Sequence, residues 1–248
     1  MSDDLTLPTG YRLSSFDTVD STNAEALRRI VDGAPSGDVI WARQQSGGRG
    51  RRGRLWHSPP GNLYVTIVVP APPDRLVGQL AFVAANGAGE AVRELLASPE
   101  LLEYKWPNDL MLDGRKLGGI LIEASPTGQT HLVAIGLGLN VDSAPSGLEA
   151  TCLREFGVQV TVSEILRTVC RSIDQWYRVW RRDGFLPVRE RWLEAAHRLG
   201  ERLDVRFPNG TTLDGAFRGI DQNGALILEQ SDGKTELIAT GEVFFASA

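Results

Sequence analysis

The chain has 248 residues, of which 42% are hydrophobic and 23% charged, values typical of a protein with a well-buried core. Its formal net charge of -5 provides no general positive field for holding DNA or RNA, so any anion must be bound locally. Two cysteines, an acidic N-terminus without a signal-peptide pattern and no long apolar run predict a cytoplasmic protein without zinc, disulfides or a membrane span.

The first part of the chain alternates short runs of valine, isoleucine and leucine with helical patterns, which predicts an α/β or α+β domain with a mixed sheet flanked by helices. One helix is expected to begin at Ser21 or Thr22, and a second runs from about Leu76 to Leu96. Asp113-Gly114 has the composition of a hairpin turn. Strands are expected over residues 12–19, 38–43, 63–69, 102–106, 118–124 and 132–140.

The last third of the sequence changes from helical to β patterns. Thr161 and Glu164 have the capping-box spacing at the start of an amphipathic helix, and Pro187 is expected to begin a shorter helix that reaches Ala196. Four or five short strands with turn signals then predict a small SH3-like barrel. We therefore expect a catalytic domain over residues 1–197 and a barrel over residues 198–248.

The loop between the second and third predicted strands is rich in arginine and glycine. Glycine lets a backbone approach a ligand closely, and guanidinium groups suit bidentate contacts with phosphate. A solvated basic loop or a nucleic-acid patch explains this segment equally well, and the spacing of a Walker A motif is missing. The loop contains Arg49, Arg51, Arg52 and Arg54, interleaved with Gly47, Gly48, Gly50 and Gly53.

Three further polar groups stand where side chains often face a cleft. Asn108 and Asp109 follow a predicted strand, although a plain β-turn also explains them. Lys116 begins a strand that contains two glycines, and a surface salt bridge is its alternative role. The sequence D-S-T-N at residues 20–23 opens the first helix, where capping accounts for one hydroxyl but not for the whole group.

In chain order, five motifs together resemble the biotin protein ligase family, from about Phe16 to the C-terminal barrel. The related lipoate ligases and lipoyl transferases lack the arginine-glycine loop in this form. The resemblance implies a class II synthetase-like core and a monofunctional ligase, since the first strand begins too early for a helix-turn-helix module. The motifs are D-S-T-N, Q-x-x-G-R-G-R-x-G-R-x-W with Gly48 directly before Arg49, K-W-P-N-D, K-L-x-G-I-L-x-E and G-x-G-x-N.

This resemblance implies biotin–[acetyl-CoA carboxylase] ligase activity. Biotin and ATP, with Mg²⁺, would form biotinyl-5'-AMP, and a lysine of a biotin carboxyl carrier domain would then displace AMP. The acceptor would belong to a biotin-dependent carboxylase, and the ligase is expected to be a monomer or a weak homodimer that does not bind DNA. Lipoate or octanoate attachment is the nearest enzymatic alternative, and a nucleic-acid-binding module is the alternative from another class.

The resemblance also implies roles for individual residues. The catalytic residues are expected to be Arg49, Arg51, Asp109 and Lys116. The biotin side is expected to comprise Ser21, Thr22, Asn23, Gln45, Arg49, Gly50, Arg51, Lys116 and Gly118. The nucleotide side is expected to comprise Arg51, Arg54, Trp56, Asn108, Lys116 and Asn140. Family members often carry a basic residue in the last strand of the barrel, and this chain does not, which puts a nucleotide contact from that end in doubt.

Overall fold

The computed structural model describes residues 6–70, 76–124, 132–207 and 209–245. Its larger sheet has seven strands in the order β1-β2-β3-β7-β6-β5-β4, in which β1 and β2 are parallel and all other neighbours are antiparallel. The mixed sheet confirms the prediction for this part of the chain. The strands are β1 (Arg12–Val19), β2 (Asp38–Gln45), β3 (Leu63–Pro70), β4 (Leu102–Lys105), β5 (Asp109–Leu112), β6 (Arg115–Ala124) and β7 (Leu132–Leu139).

Helices cover both faces of this sheet. They are α1 (Thr22–Val31), α2 (Gln79–Arg93), α3 (Val162–Asp183) and α4 (Phe185–Leu193). On one face, Ala26 and Ile30 of α1 pack against Ile40 and Val68 of the sheet. On the other face, α2 lies between the sheet and α3. A Cβ atom at Gly87 of α2 would lie 2.7 Å from the backbone of Ile173, so a glycine is required for this close approach of α2 and α3.

The helix boundaries follow the capping rules with one correction. The capping box formed by Thr161 and Glu164 is present at the start of α3, as predicted. The shorter helix was predicted from Pro187 to Ala196, but α4 begins at Phe185 and ends at Leu193. Proline occupies the third helical position, where its missing N–H group leaves no helical hydrogen bond unmade.

A second sheet of five antiparallel strands follows and is consistent with the predicted SH3-like fold. Its order is β11-β10-β9-β8-β12. It contacts the first part of the chain directly, because Trp106 donates a hydrogen bond from Nε1 to the carbonyl oxygen of Gly224 at 3.0 Å. The strands are β8 (Arg202–Arg206), β9 (Thr212–Ile220), β10 (Leu226–Glu229), β11 (Thr235–Ile238) and β12 (Glu242–Phe245).

Asp113 and Gly114 connect β5 to β6 with positive φ angles of 51° and 69°, which confirms the predicted hairpin turn. The sequence analysis missed β5 itself, a strand of only four residues. Within the described part of the chain, none of the helices is long and apolar enough to cross a membrane.

Candidate active site

A cavity of about 700 Å³ lies where β1, β2 and β7 end and β6 begins. Strand ends at one edge of a sheet release polar side chains from the core, so this edge suits a binding site. All of the predicted site residues except Gly118 line this cavity. They are Ser21, Thr22, Asn23, Gln45, Arg49, Gly50, Arg51, Arg54, Trp56, Asn108, Asp109, Lys116 and Asn140.

Gly118 does not line the cavity, and its neighbour Gly119 does. The pairing of β5 with β6 shifts between Leu110 and Met111, so that Leu117 is an extra residue in β6. Without this bulge, Lys116 and Gly118 would share a face of the sheet. With it, Lys116 shares a face with Gly119, and a Cβ atom at Gly119 would lie 3.6 Å from Cε of Lys116.

Lys116 is held by a carboxylate and an aromatic ring. Its Nζ donates a hydrogen bond to Oδ1 of Asp109 at 2.7 Å and lies 5.4 Å from the centroid of the Trp56 ring. Both the carboxylate and the π face attract the ammonium group. Asp109 therefore orients the amine of Lys116 towards the cavity that both residues line.

The two glycines of the G-x-G-x-N motif make room for two side chains of the site. A Cβ atom at Gly136 would lie 2.1 Å from Oδ1 of Asn23, and one at Gly138 would lie 2.5 Å from Nε1 of Trp56. Larger residues in β7 would therefore displace both neighbours. The Trp56 Nε1 group is buried and has no hydrogen-bond partner among the described residues.

Thr22, Asn23, Gln45, Ser58 and Thr66 form a hydrogen-bonded group that we call the polar floor. Oε1 of Gln45 accepts hydrogen bonds from the backbone N–H of Thr22 at 2.8 Å and from its hydroxyl at 3.2 Å. Nε2 of Gln45 donates to Oγ of Ser58 at 2.9 Å. The second Nε2 hydrogen of Gln45 has no partner in the described part of the chain, and neither does the hydroxyl hydrogen of Ser21. Because Gln45 and Ser21 both line the cavity, each can offer a hydrogen-bond donor to a ligand there.

Asn23 lines the cavity, but its amide already has protein partners. Its Oδ1 accepts a hydrogen bond from Thr66 at 2.6 Å, and its Nδ2 donates to the Leu121 carbonyl at 3.2 Å and to Glu123 at 2.8 Å. Both amide hydrogens are therefore used. Oδ1 can still accept a second hydrogen bond, so the predicted contact of Asn23 with a ligand ring would have to be made through this oxygen. Asn140 donates one amide hydrogen to the carbonyl of Thr151 at 3.0 Å.

Residues 49–55, which we call the arginine loop, fold back on themselves above the polar floor. Arg49 and Leu55 form an isolated antiparallel bridge, and the N–H of Gly50 donates to the Arg54 carbonyl at 2.7 Å. Arg51 turns inward, with Nη1 at 3.3 Å from Oδ1 of Asn108. Burial, followed by the nearby charge of Arg52, lowers the pKa of Arg51. A partly buried cation of this kind would be stabilised by an anion bound in the cavity.

The structure adds several cavity residues that the sequence analysis missed. Lys105 lies 6.0 Å from the Phe244 ring centroid, and burial lowers its pKa. Glu242, Val243 and Phe244 bring β12 into the wall. Thr66 and Glu123 do not line the cavity but hydrogen-bond Asn23. Thr66 was detectable as a lone polar residue in an apolar strand, and Glu123 as the last residue of the K-L-x-G-I-L-x-E motif. Nothing in the sequence pattern places β12 beside the arginine loop.

The chain resembles proteins of known function along most of its length. Residues 15–140 match the Biotin/lipoate A/B protein ligase family, and residues 199–246 match the Biotin protein ligase C terminal domain. The biotin–[acetyl-CoA-carboxylase] ligase of Paracoccus denitrificans is 38% identical over an alignment of 236 residues that covers 91% of this chain and 97% of the relative.

Solved structures agree with this relationship. Biotin protein ligase from Aquifex aeolicus in complex with biotin and ATP superimposes with a TM-score of 0.82 and 26% identity, over 94% of this chain and 97% of that chain. Biotin protein ligase from Leishmania major in complex with biotinyl-5-AMP gives a TM-score of 0.65 and 26% identity, over 92% and 99% of the two chains.

Proposed function

The chain belongs to the biotin/lipoate A/B protein ligase family, and from this membership we propose that it is an ATP-dependent biotin protein ligase. One observation carries the proposal: the amine of Lys116 and the guanidinium of Arg51 line the same cavity as the polar floor. The cavity thus combines cations for two anions with hydrogen-bond donors for a neutral ring. The biotin and ATP bound by the Aquifex aeolicus ligase have these chemical features.

The first step joins two anions. A carboxylate oxygen of biotin attacks the α-phosphorus of ATP, the bond from that phosphorus to the bridging oxygen breaks, and pyrophosphate leaves. Arg49, Arg51 and Lys116 offset the repulsion between carboxylate and phosphate and stabilise the charge that develops on phosphorus. In this state, Lys116 exchanges its partner Asp109 for the ligand anions.

The second step transfers the biotinyl group. The amine of an acceptor lysine attacks the acyl carbon, AMP leaves, and the amine loses a proton. Asp109, released from Lys116, is the carboxylate that we propose to orient this amine or accept its proton. We propose that the acceptor lysine belongs to a biotin carboxyl carrier domain, because the acceptor named for the Paracoccus denitrificans relative is acetyl-CoA carboxylase.

We assign the biotin ring to the polar floor and the nucleotide to the opposite side of the cavity. The Ser21 hydroxyl and the free Gln45 amide hydrogen suit the ureido carbonyl, and Thr22 completes this wall. On the nucleotide side we place Arg54, Trp56, Asn108 and Asn140. Gly50 lets the arginine loop approach the ligand closely.

Magnesium is proposed as a companion of ATP and not as a resident ion of the protein. No cluster of three or more His, Cys, Asp or Glu side chains that could hold a metal occurs in the described ranges. Mg²⁺ commonly binds through substrate phosphates with few protein ligands. We also propose the division at residues 197 and 198 as the domain boundary, while the cytoplasmic location, the monomer or weak homodimer and the absence of DNA binding remain predictions.

Pyrophosphate exchange into ATP tests this function. We expect exchange that depends on biotin and is at least about 100-fold slower with lipoate or octanoate. The polar floor offers hydrogen-bonding groups, and of these three acids only biotin has a ureido ring that can pair with them. Exchange with lipoate but not biotin would replace the proposal by its nearest enzymatic alternative. Exchange with none of these acids would refute ligase activity of this cavity.

A further inference from the structure

Glu242, the first residue of β12, contacts the arginine loop from the second sheet. Its Oε1 lies 3.2 Å from Nη1 of Arg52, and its Oε2 accepts a hydrogen bond from Nη2 of Arg54. The side chain of Glu242 is only 19% exposed. Glu242 pairs with Arg206 in the β8–β12 ladder, and this pairing fixes the backbone from which the Glu242 side chain extends. One carboxylate thus holds two guanidinium groups of a loop that lies 188 residues earlier in the chain.

The four arginines of the loop divide into an inner and an outer pair. The inner pair, Arg49 and Arg51, lines the cavity near Glu123 and Asn108. The outer pair, Arg52 and Arg54, contacts Glu242, and of these two only Arg54 lines the cavity. Arg52 has a φ angle of 57°, in the left-handed region that disfavours residues with a side chain. The structure therefore maintains a strained turn at the tip of the loop, and the contact with Glu242 is the ion pair at that turn.

Charge gives this contact a role beyond packing. Four cations in six residues repel each other, and this repulsion favours an open loop when no ligand is bound. The carboxylate of Glu242 offsets the charge of the outer pair, while the inner pair remains available for ligand anions. Glu242 also stabilises the charged form of Arg51, which Arg52 and Arg54 oppose.

We propose that Glu242 is a positioning residue that latches the arginine loop over the cavity, so that the second sheet sets how long the activated intermediate is retained. This inference rests on the proposed function, because the retained species is biotinyl-5'-AMP. An adenylate is hydrolysed by water, so the closed state of the loop protects it until the acceptor lysine arrives. The latch acts from the wall of the cavity, through the guanidinium groups of Arg52 and Arg54.

The test compares Glu242→Gln with Glu229→Gln as a matched control. Glu229 pairs with Arg218 on an exposed part of the same sheet. Trypsin cleaves after arginine, so the rate of cleavage within residues 49–54 of the ligand-free protein reports loop opening. We expect cleavage of the Glu242→Gln variant to be about fivefold faster than that of wild type, as expected for the loss of two partly screened ion pairs, and the control to match wild type.

A second measurement follows release of biotinyl-5'-AMP formed from biotin and ATP with pyrophosphatase present. Release should accelerate about fivefold in Glu242→Gln, and added NaCl should accelerate release from wild type more than from the variant. A purely structural role would not change this salt dependence. Arg52→Gln should reproduce both effects in part, and it replaces Glu242→Gln if that variant unfolds below the assay temperature.

The outcomes separate the latch from the ligase proposal. A trypsin cleavage rate of Glu242→Gln equal to that of wild type would refute the latch. Faster cleavage with an unchanged rate of adenylate release would refute the role of the latch in retaining the adenylate. Faster cleavage in a protein whose wild type forms no adenylate would support the latch and refute the proposed function.

Discussion

The polar floor and the arginine loop line the same cavity but are stabilised in different ways. Four of the five floor residues are buried, with Thr66 fully inaccessible to solvent, and the hydrogen bonds of the floor lie within the protein. The loop is exposed, with 67% of the Arg54 side chain accessible, and it is held at its tip by ion pairs. Buried hydrogen bonds fix geometry, whereas exposed ion pairs are weak and screened by salt. The floor is therefore built for one rigid ring and the loop for reversible closure over anions.

The largest expected effect follows from a change of Lys116, which lines the cavity together with residues of both regions. Lys116→Gln removes the cation that we assign to the carboxylate and the α-phosphate, and it leaves Asp109 without its partner. We expect biotin-dependent pyrophosphate exchange to fall about 10³-fold, with little loss of folding stability. Arg115→Gln is the matched control, because Arg115 is paired with Glu155 on the surface. Equal activity of the two variants would contradict the assigned role of Lys116.

The rigidity of the floor is tested by Gly136→Ala. The new Cβ atom would lie 2.1 Å from Oδ1 of Asn23, and because Gly136 lies within a strand between β3 and β6, the backbone cannot easily move away. We expect a loss of about 2–3 kcal/mol in the free energy of unfolding and weaker binding of biotin in calorimetry. Gly78→Ala is the control, since no atom lies within 4 Å of its Cβ position. A stable Gly136→Ala protein with unchanged biotin affinity would show that the floor can rearrange.

A smaller effect is expected when one floor hydrogen bond is removed without a change of shape. Thr66→Val leaves the Oδ1 acceptor of Asn23 without its donor, in a site closed to water. Urea unfolding should show a loss of about 1–2 kcal/mol, and this loss should not depend on salt. Thr168→Val is the control, because the Thr168 hydroxyl donates to the Glu164 carbonyl on an exposed helix surface. A salt-dependent loss would mean that the floor is stabilised by charge, as the loop is.

The distance along the chain between contacting residues explains what the sequence could predict. Local signals placed the strands, the capping box of Thr161 and the hairpin turn at Asp113, because each depends on residues close together in the chain. The motifs also indicated residues that line the cavity, although Gly118 does not line it and several residues of the cavity were missed. The bulge at Leu117 places Gly119, and not Gly118, on the face of Lys116. A bulge depends on the partner strand, and β5 itself was missed.

Long-range contacts set the second limit. Glu242 reaches the arginine loop only because β12 pairs with β8 and the second sheet packs beside the cavity, and no spacing in the sequence indicates this. Asn23 shows a related limit, since no spacing in the sequence indicates which side chains hold its amide. Its real partners, Thr66 and Glu123, lie on two other strands. Residue type shows what a side chain is able to bind, and the fold decides which partner it has.

The smallest expected effect concerns an exposed charge beside the floor. The hydrogen bond from Arg28 lowers the pKa of Asp20 from 3.8 to about 2, and both side chains are about half exposed. A lowered folded-state pKa stabilises the fold above pH 3.8, and this contribution is lost as the pH falls from 3.8 towards 2. Asp20→Asn should therefore reduce the free energy of unfolding by about 0.5 kcal/mol at pH 7, after allowance for solvent screening. This reduction should become smaller as the pH falls below about 4. Asp17→Asn, at a side chain that is 95% exposed, is the control and should show no measurable change. The contrast between floor and loop would not hold if Asp20→Asn lost several kcal/mol of folding stability, or if its loss persisted at pH 2. Either result would mean that exposed charges near the cavity stabilise the protein as strongly as buried hydrogen bonds do.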